Sequence, residues 1–226
     1  MSTALKKKQT ADATLAVESV SRRPQQGRSK ASLERMLHAA RELMLERRSE
    51  EFTLQDVSRQ GNVSIGSIYL RFESKDNLVR AVIANALEDI AADEDRMIAE
   101  VEAKSASLAQ FVPNYVEAYA EVLRRHSALL RLAMERASHD PLVSGPGKQS
   151  ALRSAALGTA AMLKHDAEIG GTDHILKADA AYQVIFATLA RQLRLGATGE
   201  SALEYDWSQL KRELGRMCLA YLTADL

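Results

Sequence analysis

The chain has 226 residues, of which 46% are hydrophobic, 27% charged and 5% aromatic, and its formal net charge is zero. This composition excludes collagen-like, low-complexity and disulfide-rich chains, and it is ordinary for one large or two small globular domains. No apolar run approaches the roughly 20 residues that a membrane span needs, and the N-terminus lacks the apolar core of a signal peptide. We therefore expect a cytoplasmic protein with no membrane partner.

The zero net charge conceals an asymmetry along the chain. Residues 1–80 contain 15 Lys and Arg against 10 Asp and Glu, so this part carries +5 and the remainder −5. A basic N-terminal part and an acidic C-terminal part indicate that only the first meets a polyanion.

Few residues interrupt helices, since the chain has only 4 Pro and 11 Gly while Ala, Leu, Glu and Arg are frequent. The composition therefore predicts an all-α fold. At its start, residues 1–28 predict a disordered basic arm with the basic runs Lys6-Lys7-Lys8 and Arg22-Arg23. Such an arm either contacts phosphates or a minor groove or is only a solvated tail, and the sequence leaves both open.

The first predicted helix covers residues 29–48, with apolar residues at three- and four-residue spacing. These are Leu33, Met36, Leu37, Ala40, Leu43 and Met44. A short second helix begins at Thr53, a suitable N-cap, and Asp56 three residues later forms a pattern like a capping box.

A tight turn is predicted at Gly61-Asn62-Val63, because Gly and Asn both tolerate a left-handed backbone. Ser64 is a suitable cap for a third helix over residues 64–71, and Ser74 for a fourth that follows. Two short helices joined by such a turn form the helix-turn-helix pattern.

The rest of the chain also shows helical periodicity. Helices are predicted near residues 106–124, 126–138, 147–168, 174–195 and 204–224, with breaks at 140–141, 144–147, 170–173 and 196–199.

The residue types of the second to fourth helices are more specific than their spacing. Thr53 opens the second helix, the third reads Val63-Ser64-Ile65-Gly66-Ser67-Ile68-Tyr69 with Phe72 after it, and Lys75 and Leu78 follow. Residues 36–78 resemble the signature of TetR-type regulators, except that Gly61-Asn62 stands where that family usually has Ala-Gly. The resemblance implies a three-helix DNA-binding domain at 29–78 and a helical effector-binding and dimerisation domain at 79–226.

The third helix has the chemistry of a recognition helix, which must enter a major groove about 12 Å wide. Gly66 keeps one face slim, and the hydroxyls of Ser67 and Tyr69 can bond phosphates or bases. Lys75 lies at the next helix N-terminus, itself a favourable phosphate site. The predicted DNA-contacting residues are Thr53, Ser64, Ile65, Gly66, Ser67, Tyr69, Leu70, Arg71 and Lys75.

Polar and aromatic residues interrupt the apolar faces of the C-terminal helices, a mixture that suits a small-molecule pocket, although core filling is the alternative. Ligand-responsive pockets are also what the resemblance implies. The predicted pocket residues are Tyr115, Tyr119, His126, Met134, Met162, His165 and Phe186.

Apolar stripes on the last two helices predict a four-helix bundle across a two-fold axis. The alternative is that one stripe is buried within the chain. The predicted interface residues are Tyr182, Ile185, Leu189, Leu193, Leu210, Leu214 and Met217.

Catalytic and metal-binding motifs are not recognised in the sequence, which has no P-loop, Gly-x-Ser-x-Gly or Cys-x-x-Cys pattern. The lone Cys218 lies in an apolar helical pattern, which favours a buried structural thiol. We therefore expect no enzyme, metal or cofactor. The resemblance to TetR-type regulators implies instead a dimeric repressor of a palindromic operator that is released by a small apolar ligand. The alternative is a DNA-binding regulator without a ligand, controlled by a protein partner or acting as an activator.

Overall fold

The computed structural model describes residues 27–196 and 206–225, with the backbone alone for 27–29. All regular structure in these ranges is helical, which confirms the predicted all-α fold. The helices are α1 (Gly27–Arg47), α2 (Leu54–Gln60), α3 (Ile65–Tyr69), α4 (Lys75–Ala103), α5 (Leu108–Ala137), α6 (Pro141–Met162), a 3-10 helix (Leu163–Glu168), α7 (His174–Gln192) and α8 (Trp207–Thr223). None of these described helices is both long and apolar enough to cross a membrane. The predicted basic arm and most of the predicted break at 196–199 lie outside the described residues.

The chain divides into two compact units. The first contains the described residues up to Asp89 together with Ala128–Gln149, and the second contains Ile90–Ser127 and the described residues from Ser150 onward. The first unit therefore extends beyond the predicted DNA-binding domain, since it also takes in the beginning of α4, the end of α5 and the beginning of α6.

The core of the first unit is built from the apolar faces that the sequence predicts. Met36, Ala40 and Met44 of α1 are fully buried, as are Val57 of α2 and Ile68 of α3. Burying these side chains fixes the short helices, which would be too short to be stable alone in water.

The turn between α2 and α3 confirms the prediction for Asn62 and changes it for Gly61. Asn62 has the left-handed φ of 48°, whereas Gly61 has an ordinary helical φ of −82°. Gly61 is needed for space, because a Cβ there would lie 3.0 Å from the Val57 carbonyl oxygen and 3.1 Å from that of Arg35. The glycine thus lets α1 and α2 approach closely.

The two helices predicted at 106–124 and 126–138 are one continuous helix, α5, so the predicted division was wrong. His126 does not break the helix, because its side chain is buried and bonded to Asp93. The buried residues Leu129 and Leu132 continue the same apolar face beyond it.

The predicted break at 144–147 was also wrong, since these residues lie inside α6. Asp140 caps α6, its Oδ1 accepting the Leu142 amide at 3.1 Å, and Pro141 occupies the first position, where proline needs no donor. Pro146 removes one donor from the carbonyl of Leu142, whose side chain is exposed. Water at this exposed face can satisfy that carbonyl, so the helix continues.

In the second unit, α7 packs against α8. Asp173 and Asp206 cap these two helices by accepting the amides of Leu176 and Gln209. The predicted break at 170–173 is confirmed, and Gly171 there has a left-handed φ of 82°. Burial raises the pKa of Cys218 to about 11, as fits a structural thiol.

Candidate DNA interface

The start of α3 is fixed by the predicted cap. The Ser64 hydroxyl oxygen accepts the Ser67 amide at 3.1 Å, and the two hydroxyl oxygens lie 2.7 Å apart. Ile68 holds the inner side of the helix, since it is fully buried. Ser64 and Ser67 therefore use part of their bonding capacity locally, while each oxygen can take part in further hydrogen bonds.

The outer side of α3 presents two large, exposed side chains at its C-terminal end. Tyr69 is 60% exposed and Leu70 is 64% exposed. A Cβ on Gly66 would meet nothing within 4 Å, so the backbone of α3 is open to a partner at this point. Ile65 is half-buried and Arg71 is partly exposed at the end of the motif.

Thr53 forms the capping box that its spacing predicts. Its hydroxyl accepts the Asp56 amide at 3.1 Å, and its own amide donates to Asp56 Oδ2 at 3.0 Å. This backbone bond, with help from Arg47, lowers the pKa of Asp56. Because the Thr53 oxygen is only an acceptor in the cap, its proton remains able to donate to a phosphate.

Lys75 has a structural contact that the sequence did not predict. Its Nζ donates to the Glu50 carbonyl oxygen at 2.8 Å and lies 5.4 Å from the centre of the Phe52 ring. The ammonium has three protons, so a phosphate contact remains compatible with this bond. Lys75, the first residue of α4, therefore connects this helix to the segment before α2.

Around Arg136 the first unit contains a group of ion pairs, which we call the Arg136 cluster. Arg136 bonds Glu50 at 2.7 Å, Asp76 at 2.9 Å and Asp140 at 2.8 Å, and Arg80 bonds Asp140 at 2.8 Å. The sequence did not predict this cluster, because Arg136 is 86 residues from Glu50 and 60 from Asp76.

The predicted pocket residues are divided between the two units. Met134 belongs to the first unit and is 43% exposed, and its role in a pocket stays a prediction. The other predicted positions belong to the second unit, where Tyr115, Tyr119 and Met162 are buried and Phe186 is half-buried.

A ladder of aromatic rings occupies the second unit. Neighbouring ring centres are 5.4 Å to 6.3 Å apart along the sequence of contacts Phe111, Tyr115, Tyr119, Tyr182 and Phe186. The hydroxyls of Tyr119 and Tyr182 lie 3.0 Å apart. A Cβ on Gly158 would lie 2.5 Å from the Tyr115 hydroxyl oxygen, so α6 is closely packed against this ladder.

Both predicted pocket histidines have protein partners. His126 bonds Asp93 at 2.9 Å, and that bond, with Arg125 nearby, lowers the pKa of Asp93 despite its burial. His165 lies 3.5 Å from Glu168 and its ring is 5.3 Å from that of Phe111. Their presence in apolar helices therefore has an explanation that requires no ligand.

The predicted dimer residues fall into two groups. Ile185, Leu189 and Leu214 are fully buried within the single chain and Tyr182 is nearly so, so their burial is accounted for without a second subunit, and a role for them at a subunit interface stays a prediction. They are buried within the second unit, where α7 meets α8, which is the alternative that the sequence left open. Leu193 and Leu210 are half-buried, and Met217 is 59% exposed.

Apolar side chains other than those predicted are exposed on α7 and α8. They are Ile175, Leu176 and Val184 on α7, and Tyr221 beside Met217 on α8. Of the predicted interface residues, Tyr182, Ile185, Leu189 and Leu214 lie on the buried faces of these helices, whereas Met217 is exposed.

Comparison with known proteins agrees with this geometry. Residues 36–82 match the family model of bacterial regulatory proteins of the tetR family, whereas no curated protein matches the sequence significantly. A TetR-family transcriptional regulator from Mesorhizobium loti has a similar structure, with a TM-score of 0.64 and 16% identity over 87% of this chain and 96% of that chain.

Two further solved structures share the fold. A TetR transcription regulator from Haloarcula marismortui has a TM-score of 0.61 and 13% identity over 84% of this chain and 96% of that chain. The TetR-family regulator PfmR from Thermus thermophilus has a TM-score of 0.52 and 17% identity over 83% of this chain and 96% of that chain. The N-terminal domain of this chain is therefore that of the tetR family of bacterial regulatory proteins, and the chain is a DNA-binding transcriptional regulator with that family's helical fold.

Proposed function

We propose that this chain is a dimeric repressor in which α3 of each subunit reads one half of a palindromic operator. The observation that carries the proposal is the exposed end of α3, where Tyr69 and Leu70 extend into solvent beside the open backbone of Gly66. When a partner covers large apolar groups that are exposed to water, the free energy of the system falls. In a major groove, Leu70 can contact a thymine methyl group and Tyr69 can donate to a phosphate or base.

The remaining predicted DNA contacts support this orientation of α3. Thr53 is the N-cap of α2 and Lys75 is the first residue of α4, so both lie at helix N-termini, where backbone amides and the helix dipole favour a phosphate. Ser67 has a hydroxyl near the start of α3. Phosphate contacts of this kind fix the register of the motif, while the exposed end of α3 reads the bases.

Repression by a dimer requires two recognition helices about one helical turn of DNA apart. The exposed apolar residues of α7 and α8 are the surface we assign to the dimer, with Met217 as the member shared with the sequence prediction. A small, largely apolar ligand would then release the operator by binding more tightly to a conformation in which the two helices are wrongly spaced.

The aromatic ladder supports such a ligand in one respect, because it brings three tyrosine hydroxyls into an apolar setting. Burial raises the pKa of Tyr182 to about 12. Since one of the Tyr119 and Tyr182 hydroxyls donates to the other, the second of the two keeps its proton for a further bond. A site of this kind would hold an apolar ligand with one or two acceptor groups.

A second candidate function is a regulator controlled by a protein partner without a ligand. The close approach of Gly158 to Tyr115 and the protein partners of both histidines favour it, because they indicate a core that is already filled. Both candidates use the same DNA-binding domain.

Selection of bound duplexes from a random pool tests the shared part of the proposal. We expect an enriched palindrome whose half-site centres are about 10 bp apart. Random recovery of sequences would contradict operator reading.

A compound screen on the selected operator then separates the two candidates. A releasing ligand must bind more weakly when operator is present, by the same factor by which it weakens the operator, because coupling is reciprocal. If no compound of a broad apolar library raises Tm or releases DNA, the partner-controlled function is the better account.

A further inference from the structure

The Arg136 cluster connects the two flanks of the helix-turn-helix. Glu50 lies before α2, and Asp76 lies in the first turn of α4, directly after the motif. Arg136 bonds Glu50 through Nη1 and Asp76 through Nη2, so one guanidinium group holds both flanks at once. Arg136 itself lies outside residues 36–82, the segment that matches the family model.

Glu50 is held a second time, by its backbone. The Lys75 ammonium donates to the Glu50 carbonyl oxygen and also faces the ring of Phe52, which is only 4% exposed. The short segment that leads into α2 is therefore fixed relative to the first turn of α4 by both a side-chain and a backbone contact. The segment before α2 and the first turn of α4 lie on either side of α2 and α3 along the chain.

Asp140 and Arg80 anchor the other side of Arg136. Asp140 Oδ2 accepts from both arginines, and its Oδ1 caps α6. Burial opposes ionisation of Asp140, but the hydrogen bonds from Arg80 and Arg136 outweigh it and lower its pKa. The carboxylate thus stays charged, and it holds the guanidinium of Arg136 in place.

We propose that Arg136 is a positioning residue for operator reading, which holds Glu50 and Asp76 together and so sets the orientation of α2 and α3. The inference rests on the proposed operator-reading role of α3. The Arg136 side chain is only 8% exposed, so it acts through the motif and does not itself bind a phosphate. Random DNA binding depends mainly on phosphate charge, whereas base reading depends on register. Loss of the Arg136 bonds to Glu50 and Asp76 therefore reduces binding to the operator more than binding to random DNA.

The glutamates at positions 50 and 51 provide a matched test. Glu50→Gln and Glu51→Gln each remove one negative charge from the same loop, but only Glu50 belongs to the Arg136 cluster. If charge alone mattered, both variants would bind all DNA more tightly, because a negative charge that repels phosphates is gone. The proposal predicts the opposite result for Glu50→Gln, namely a lower affinity for the operator.

The experiment measures affinity for the selected operator and for a random duplex of equal length at 25 °C, with Tm recorded for each variant. We expect Glu50→Gln to lower the ratio of operator to random affinity by roughly tenfold to hundredfold, the range typical of coupling between separate sites. Glu51→Gln keeps the wild-type ratio. Arg136→Gln, where it folds, lowers the ratio at least as much as Glu50→Gln.

Equal ratios for wild type and Glu50→Gln overturn the inference, and so do equal changes in the two glutamine variants. A loss of Tm alone, with the ratio unchanged, assigns the cluster to stability and also overturns it. A wild-type protein that does not distinguish operator from random duplex overturns the proposed function itself, which is a separate outcome.

Discussion

Tyr69 is the residue whose role can be tested with the smallest change. Tyr69→Phe keeps the ring and removes only the hydroxyl, at a position that is 60% exposed. We expect operator affinity to fall by about 1 kcal/mol, or roughly fivefold, the usual value of one hydrogen bond. Since the ring is not part of the core, Tm should not change. A lower Tm with unchanged affinity would instead place the hydroxyl in a structural contact.

His174 is the residue at which we expect a pH effect on stability. Its Nδ1 lies 2.5 Å from Asp166 and its Nε2 lies 3.0 Å from the Gly171 carbonyl, and these bonds raise the pKa of His174 above its ordinary 6.5. A raised folded-state pKa means that the proton stabilises the fold. This stabilisation is complete below about pH 6.5 and is lost as the pH rises through the folded-state pKa.

Comparison of wild type and His174→Gln over this window measures the effect. The wild-type Tm should decline more steeply between pH 6.5 and the folded-state pKa than the Tm of the variant. Asp166→Asn removes the first partner and should flatten the curve in the same way. Parallel curves for all three proteins would show that His174 does not contribute to the pH dependence.

Alanine substitutions at two glycines of the helix-turn-helix distinguish a role in helix packing from a role in the approach to DNA. Gly61→Ala places a Cβ 3.0 Å from the Val57 carbonyl oxygen of α2 and 3.1 Å from the Arg35 carbonyl oxygen of α1. Backbone oxygens of two helices cannot both move aside, so we expect destabilisation of about 1–3 kcal/mol, as for other overpacked sites. Denaturant unfolding measures this loss.

Gly66→Ala is the matched control in the neighbouring helix. Its Cβ meets nothing within 4 Å, and alanine favours helix over glycine by about 1 kcal/mol. Stability should therefore be unchanged or higher, while operator affinity falls because the added methyl group separates α3 from the groove. A variant that binds the operator as tightly as wild type would remove Gly66 from the interface.

Elements whose signals are local could be predicted from the sequence, and those that depend on distant partners could not. The caps Thr53 and Ser64 bond residues three positions away, so their patterns are visible in the sequence. Arg136 bonds Glu50 and Asp76 over separations of 86 and 60 residues, which no spacing rule can detect. The continuity of α6 through Pro146 depended on which face of the helix is exposed.

The predicted dimer interface shows the same limit at the scale of the whole molecule. Periodicity correctly found the apolar stripes of α7 and α8, but a stripe looks the same whether it faces its own chain or a partner. Burial separates the two cases, since Leu214 is fully buried while Met217, three residues later on α8, is 59% exposed. The two positions therefore make different predictions for the same substitution.

If the proposed dimer forms through this face of α8, Met217→Glu should dissociate it and leave the fold intact. A glutamate at an interface is buried without a partner at a cost of several kcal/mol, whereas in the separated subunit it remains in water. Leu214→Glu should instead unfold the second unit, because the charge is buried in the core of the chain itself. Sedimentation gives the mass of each variant, and Tm and circular dichroism give its fold.

The folded Met217→Glu monomer should also bind the operator more weakly than wild type, since each monomer reads only one half-site. A Met217→Glu protein that remains dimeric would exclude this face of α8 from the interface, and a wild-type protein that is monomeric at micromolar concentration would exclude the dimer.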